Sequence, residues 1–319
     1  MGDRLNYNLH LIKVTNQPVD DVMKKYLCKS ILFVTTLFSN TGYADSAFQG
    51  SVDVDRTQKH DSFGTHYEET MVGAQYYLKS VERTTHPWME AEFLEHSPSI
   101  FAGYGQNHTT GDSNGSQGFS YYVGGGYASK SNPLIANLTY DNLQLKYDQQ
   151  LKQEHRALTA GLGLYITQPF MVMISYTKIQ KIDKYDLSNY YTSKYKYRDY
   201  SYQIFAKYLH EYSSGQALGL LFSFAKEEYN GEFGNWSPPY SLDFGVKYYV
   251  NRRVGILAHV TDKGSEGALF QGISFTLGFD AFLTKNLSLA AENESFWSNN
   301  NYNYIANYDR WTASLKWWF

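Results

Sequence analysis

The sequence has little of what most other fold classes depend on. Cysteine occurs once, as Cys28, and proline seven times in 319 residues. Beyond Cys28 the chain therefore has no disulfide, no thiol nucleophile and no cysteine-ligated metal. No stretch after residue 44 reaches about 18 consecutive apolar residues, which excludes a transmembrane helix there. Helical periodicity of any length is also missing, so the pattern favours a β protein.

Positive charge and metal-ligand motifs are scarce as well. Residues 1–44 carry five Lys and Arg and three Asp and Glu, so the net charge of −3 becomes −5 for residues 45–319. A negative net charge argues against a nucleic-acid partner. The His residues lack the spacing of metal ligands, and Gly124–Gly126 has no helix behind it to form a phosphate loop. We therefore predict no cofactor, no metal site and no catalytic residues.

Aromatic residues, by contrast, are abundant. The chain has 30 Tyr, 19 Phe and 6 Trp, yet its mean hydropathy is −0.47. Soluble proteins rarely combine these properties. Membrane β-barrels do, because Tyr and Trp form girdles at both membrane interfaces.

The last nine residues read as an amphipathic strand that ends on an aromatic. Apolar residues occupy every odd position from 311 to 319, and Thr312, Ser314 and Lys316 lie between them. This segment resembles the terminal strand of bacterial outer-membrane barrels, where that strand is the assembly signal. The residues that carry the predicted signal are Trp311, Leu315, Trp317 and Phe319.

The other end of the chain carries a predicted targeting segment. A basic segment starts at Met23, an apolar run extends over residues 30–38, and a small residue, Ala44, ends the segment. This is the pattern of a secretory signal peptide. Residues 1–22 precede it and are interpreted as an upstream over-extension of the reading frame or a short extension. The predicted organisation is then a cleaved signal at 23–44 and one barrel at 45–319.

Fourteen segments of about ten residues with alternating polarity follow the signal. The last five are the clearest, and two of the others are interrupted: Trp88–Gly105 near a proline and Leu134–Tyr147 near Asp141. Short connections alternate with longer ones such as residues 106–118 and 183–199. The prediction is an all-β, transmembrane, antiparallel up-and-down barrel of about 14 strands, with 12 to 16 possible and both termini in the periplasm.

Two neighbouring segments resemble a known family. Val72–Leu78 and Pro87–Leu94 are similar to a pair of strand patterns in the general porins of gammaproteobacteria, and Gly272–Leu283 and the C-terminal strand are similar as well. The resemblance implies an outer-membrane barrel that passes small solutes and brings no catalytic residues. The chain departs from the pattern at Glu92, where the family has a small residue.

The faces opposite the apolar ones are the predicted lining of a pore. Eight acids and four bases lie there, and fixed charge in a narrow channel selects counter-ions, which predicts a mild preference for cations. Alternatively, these charges pair across the lumen and close it. The predicted pore-lining residues are Asp53, Asp55, Glu90, Glu92, Lys207, Asp243, Lys247, Asp280, Glu292, Glu294, Arg310 and Lys316.

The function predicted from the sequence is passive diffusion of small hydrophilic solutes or ions through the bacterial outer membrane. Outer-membrane lipids and the barrel-assembly machinery are the expected partners, with a homo-oligomer possible. A non-conducting surface barrel, serving as anchor or adhesin, is one alternative. An outer-membrane enzyme is another, with His60 and Ser62 as a phospholipase-like pair or a protease-like rim made of Asp61, His66, Glu68 and Glu69. A hydrophobic-ligand transporter would need an N-terminal plug, for which few residues are available.

Overall fold

The computed structural model describes most of the predicted barrel. The described residues are 47–83, 86–110, 115–147, 151–188, 191–212, 215–230, 239–265, 268–298 and 307–319. The predicted extension at 1–22 and the predicted signal peptide at 23–44 lie outside them.

The strands close into one ring. Each strand pairs antiparallel with its neighbours in sequence, and β1 pairs with β14, so no sheet edge is left open. The predicted fourteen-stranded, all-β, up-and-down barrel is confirmed. The strands are β1 (Ala47–Asp61), β2 (His66–Glu82), β3 (Ser99–Thr110), β4 (Ser116–Ser129), β5 (Asn132–Tyr147), β6 (Leu151–Thr167), β7 (Phe170–Ser188), β8 (Tyr191–Glu211), β9 (Ala217–Asn230), β10 (Pro239–Asn251), β11 (Val254–Ser265), β12 (Ala268–Phe282), β13 (Leu287–Ser298) and β14 (Tyr308–Trp318).

Alternation along the strands separates an apolar outer face from a polar inner face. Leu162 on β6 is 64% exposed, Ile174 on β7 60% and Trp311 on β14 58%. Large apolar side chains gain nothing from exposure to water, but they are stable against lipid. Strand pairing around the closed barrel meanwhile gives the backbone N–H and C=O groups the hydrogen-bond partners that lipid cannot provide. The outer face is therefore a belt suited to a membrane.

The connections differ between the two ends of the barrel. At one end, residues 130–131, 168–169 and 252–253 suffice to join successive strands. The other end carries the β3–β4 and β7–β8 connections. In outer-membrane barrels the short turns face the periplasm and the longer loops face outside. We use these two names for the two ends.

The strands extend further towards the extracellular end than the sequence pattern predicts. Much of the predicted loops at 106–118 and 183–199 is strand, because β3 runs to Thr110 and β7 to Ser188. Above a membrane both faces of a strand can be polar, so the loss of alternation there does not mark the end of a strand. The predicted irregularity near Asp141 is also absent, since β5 keeps one continuous register with β6.

The predicted strand over Trp88–Gly105 is wrong in its first half. Trp88–Glu90 is a 3₁₀ turn, Ala91–Glu95 is a short α-helix, α1, and β3 begins only at Ser99. Pro87 precedes the turn, and His96 ends α1 in the left-handed region with φ 49°. Among the described residues no helix is long and apolar enough to cross a membrane.

Candidate functional site

Residues 86–98, between β2 and β3, form an insert that lies inside the barrel; we call it the lumen insert. Ala91 and Leu94 in α1 are almost fully buried. The insert contacts side chains or turns from β2, β6, β8, β10 and β12. Strands so far apart in a ring of fourteen can contact one insert only if it spans the bore.

Contacts with the short turns place the lumen insert at the periplasmic end. The backbone N–H of Trp88 donates to the carbonyl of Arg252, at 2.9 Å, in the β10–β11 turn. The Nε2 of His96 lies 3.2 Å from the carbonyl oxygen of Gln168, in the β6–β7 turn. The insert therefore occupies the periplasmic mouth.

Glu90 is the most strongly held charge in the insert. Its carboxylate is buried and lies 2.5 Å from the Nζ of Lys207 on β8, while the hydroxyl of Tyr249 on β10 donates to it at 2.5 Å. Burial raises the pKa of Glu90, but Lys207 and Lys247 outweigh that effect and hold the pKa below its usual value. Glu90 is thus an ionised anchor between two strands.

A second group of contacts fixes the rest of α1. Glu92 accepts a hydrogen bond from the Tyr77 hydroxyl, and the Tyr165 hydroxyl donates to the carbonyl of Phe93 at 3.0 Å. The ring of His96 stacks on Tyr165 with centroids 3.4 Å apart. Burial lowers the pKa of His96, so the ring is held neutral against Tyr165.

An ionic cluster lies at the end of α1. The buried carboxylate of Glu95 is 2.8 Å from the Nζ of Lys130 and 3.8 Å from the Nε2 of His86. The other ring nitrogen of His86 is 3.0 Å from Glu211 at the end of β8. This cluster connects the insert to two further turns of the barrel.

Arg83, at the start of the connection from β2, lies among four aromatic rings. Its guanidinium carbon is 4.2 Å from the ring centre of Phe48, 4.9 Å from that of Phe282 and 5.1 Å from that of Trp318, with Trp88 of the insert at 5.6 Å. Burial lowers the pKa of Arg83 to about 10. Cation–π contact compensates part of the cost of this burial.

The structure brings half of the predicted pore-lining residues together in ion pairs. Besides Glu90 and Lys207, Lys247 lies 2.5 Å from Asp280 and Arg310 lies 2.6 Å from Glu294. Glu90 and Glu92 belong to the insert and not to a wall strand, which corrects their predicted placement on β3. No ion pair within the described ranges joins the remaining wall residues, which are Asp53, Asp55, Asp243, Glu292 and Lys316. Their role in lining a pore stays a prediction.

Sequence reasoning missed the groups that hold the insert. The abundance of tyrosine predicts girdles at the membrane interfaces, yet the hydroxyls of Tyr77, Tyr165 and Tyr249 donate to the insert. Lys130 and His86 belong to no recognisable sequence motif. The sequence signal for the insert is Pro87, close to its start, because proline favours the start of a helix over the interior of a strand.

The residues of the enzyme alternatives lie at the extracellular end of β1 and β2. His60 Nδ1 is 3.1 Å from the Nδ1 of His66, and His66 Nε2 is 3.0 Å from Glu68. In the described part of the chain, His60 makes its hydrogen bond to His66 and not to Ser62. Across the same part, no group of three or more His, Cys, Asp or Glu side chains is arranged to hold a metal ion.

Comparison with known proteins supports the architecture. No protein-family model and no curated protein matches the chain. Among solved structures, the outer-membrane protein Omp33 of Acinetobacter baumannii has a TM-score of 0.52 at 15% identity, over 86% of this chain and 100% of that chain. The monoaromatic hydrocarbon channel CymD has a TM-score of 0.53 at 8% identity, over 85% and 89%. The fold is that of a bacterial outer-membrane β-barrel. At these identities the likeness shows the fold, and the resemblance to gammaproteobacterial porins stays a prediction.

Proposed function

We propose that this outer-membrane barrel is a porin for small hydrophilic solutes whose periplasmic mouth is closed at rest by the lumen insert. The observation that carries the proposal is that the insert spans the bore and is held to the wall both by polar side chains and by two apolar clusters, one around Ala91 and one around Leu94. Glu90 binds Lys207 and Tyr249, and Glu95 binds Lys130. The polar contacts exchange for contacts with water when the insert moves, whereas separating the apolar clusters costs free energy, so the insert should be displaced only rarely.

The polar wall favours hydrophilic solutes over the aromatic hydrocarbons named for CymD. Four wall carboxylates and one lysine of the predicted set lack an ion-pair partner among the described residues. In a narrow aqueous lumen this excess of negative charge attracts cations. The proposed porin therefore has a mild preference for cations once the insert is displaced.

The second candidate is a non-conducting barrel that anchors its extracellular surface. Three ion pairs within the predicted lining set and the buried insert favour it. The two candidates differ in what removal of the insert does. If the barrel is a porin, removal opens a path; if it is an anchor, the remaining pairs keep the lumen closed.

Single-channel recording in planar bilayers tests the proposal. The protein is purified from bacterial outer membranes and compared with a variant in which residues 84–97 are replaced by a short Gly-Asn turn. Heat-modifiable migration establishes that both are folded. We expect rare, small openings from the unaltered chain and stable steps from the variant, with a reversal potential that favours cations. A folded variant that shows no conductance would establish the anchor instead.

A further inference from the structure

The outer surface of the barrel carries a concentration of positive charge on three adjacent strands. Its members lie above the apolar belt on β6, β7 and β8, all are exposed, and within the described residues none has an ion-pair partner. We call them the basic sector: Lys152, Lys178, Lys184, Lys194, Lys196 and Arg198.

Strand register brings three of these lysines into one row. Lys184 on β7 is directly opposite Lys152 on β6 and directly opposite Lys194 on β8. Paired side chains in a sheet have Cβ atoms about 5 Å apart, and like charges at that spacing repel. Glu154 lies on the same face of β6, but it is 2.7 Å from Arg156 and its charge is already engaged. The row of three lysines is therefore suited to a ligand with more than one negative charge.

The basic sector begins where the aromatic belt ends. Tyr176 on β7 stacks with Tyr200 on β8, with centroids 6.0 Å apart, and lies 5.3 Å from Tyr202. Lys178 is directly opposite Tyr200 and two residues beyond Tyr176. Tyrosine rings mark the level of lipid headgroups, so the sector occupies the headgroup layer and the space just above it.

The surface below the sector fits acyl chains. Ile174 and Ile204 are exposed and directly opposite each other on β7 and β8, and the exposed Leu162 on β6 is directly opposite Ile174. The basic residues belong to the end opposite the lumen insert, which is the extracellular end. A ligand that covers both surfaces must have an apolar part and, directly above it, an anionic part.

Among the described residues of β1, β2 and β14, on the opposite side of the barrel, the outer face has no comparable concentration of positive charge. On the outer face of β1 and β2, Arg56 lies 3.5 Å from Glu68 and so is neutralised. On β14, Asp309 accepts a hydrogen bond from Ser295 at 2.6 Å. The asymmetry shows that the sector is a local feature and not a general property of the extracellular rim.

We propose that the basic sector binds the phosphorylated headgroup of an outer-leaflet glycolipid of the lipid A class. The phosphates lie across the lysine row, and the acyl chains lie along Leu162, Ile174 and Ile204 below. Phosphate oxygens accept charge-assisted hydrogen bonds from several lysines at once. This inference depends on the outer-membrane location and not on conduction, so it stands or falls separately from the proposed porin.

Native mass spectrometry of the detergent-solubilised protein tests the proposal with bisphosphorylated lipid A as probe. The test variant is Lys178→Gln/Lys184→Gln/Lys196→Gln. The matched control is Lys59→Gln/Lys263→Gln/Lys316→Gln, which makes the same change of charge on the lumen face. Each lysine near an anionic surface strengthens binding, and salt reduces its effect. We therefore expect the test variant to bind about tenfold more weakly, and the control to bind as the unaltered protein does.

Two further probes identify the source of the charge that is bound. Lipid A from which both phosphates have been removed should bind the unaltered protein no better than intact lipid A binds the test variant. Inorganic pyrophosphate should not displace intact lipid A at equal concentration, because it lacks the acyl chains. Equal affinity of the test variant and the unaltered protein would overturn the proposal. Equal displacement by pyrophosphate would overturn it too, since the sector would then be a site for soluble anions.

Discussion

The carboxylate of Glu90 on the lumen insert lies 2.5 Å from the ammonium group of Lys207 on β8. The insert leaves the wall at β2, so this ion pair crosses the bore. Both side chains are largely removed from water. When one member of such a pair is lost, the other remains as an uncompensated buried charge, at a cost of about 3 kcal/mol. The pair is therefore where a single substitution most directly weakens the closure.

Lys207→Met should raise the open fraction of the channel by at least about tenfold, because Glu90 then loses the ammonium group in direct contact with it. Single-channel recording gives the open fraction directly. The control is Glu90→Gln/Lys207→Met, which removes both charges and should lie closer to the unaltered protein. If both variants gate as the unaltered protein does, this ion pair does not hold the insert.

Much of the barrel could be predicted because lipid imposes a simple rule on it. In β12, Ile273, Phe275 and Leu277 alternate with small or polar residues, and the structure places these three on the exposed outer face. A strand between lipid and lumen must show this pattern. The strand count and the closure follow from it.

The lumen insert could not be predicted in the same way. In residues 88–94, Met89, Ala91 and Phe93 alternate with Glu90 and Glu92 and so imitate a strand. Over so few residues helical and strand periods both fit the pattern. What decides is long-range contact, such as that of Tyr249 with Glu90, and local sequence does not encode it.

Acidification should loosen the insert through His96. Burial lowers the pKa of His96 from 6.5, so its contribution to seating the insert is complete above about pH 6.5 and is lost as the pH falls through the lowered pKa. Glu90, whose pKa is also lowered, contributes fully above its usual value of 4.5 and acts only at lower pH.

We therefore expect the open fraction to rise severalfold as the pH falls from 7 to about 5. The variant His96→Asn tolerates the left-handed backbone and lacks the titrating ring. Recordings across this range should show a pH dependence for the unaltered protein and a much smaller one for the variant. An identical profile for both would assign the response to another group.

Glu292 should contribute more to ion selectivity than its neighbour Glu294. Glu292 is exposed on the lumen face of β13, whereas Glu294 is buried, lies 2.6 Å from Arg310 and accepts a hydrogen bond from Tyr308 at 2.9 Å. In the variant without the insert, Glu292→Lys should move the reversal potential under a salt gradient toward that of an anion channel.

Glu294→Gln should shift the same potential in the same direction but by less, because it frees the charge of Arg310 without adding a new one. Reversal potentials of the two variants, measured in one salt gradient, give the comparison. An unchanged potential for Glu292→Lys would remove this residue from the predicted lining.

The C-terminal residue closes the barrel against Gly50 of β1. The N–H of Phe319 donates to the carbonyl of Gly50 at 3.0 Å, and the N–H of Gly50 donates to the carbonyl of Phe319 at 2.9 Å. A Cβ on Gly50 would lie 2.5 Å from the Phe319 ring and 2.9 Å from the carbonyl oxygen of Gln75. The ring therefore covers the glycine, and the seam between first and last strands depends on both residues.

Gly50→Ala should lower the free energy of unfolding by about 1–3 kcal/mol because the ring must move. Phe319→Ala should lower it by about 3 kcal/mol because the ring leaves a cavity. In the double variant the new methyl group no longer meets the ring, so the combined loss should be smaller than the sum, with a residual cost from Gln75. Urea titration of the barrel in lipid vesicles measures all three free energies. Strict additivity would show that the ring does not pack on Gly50.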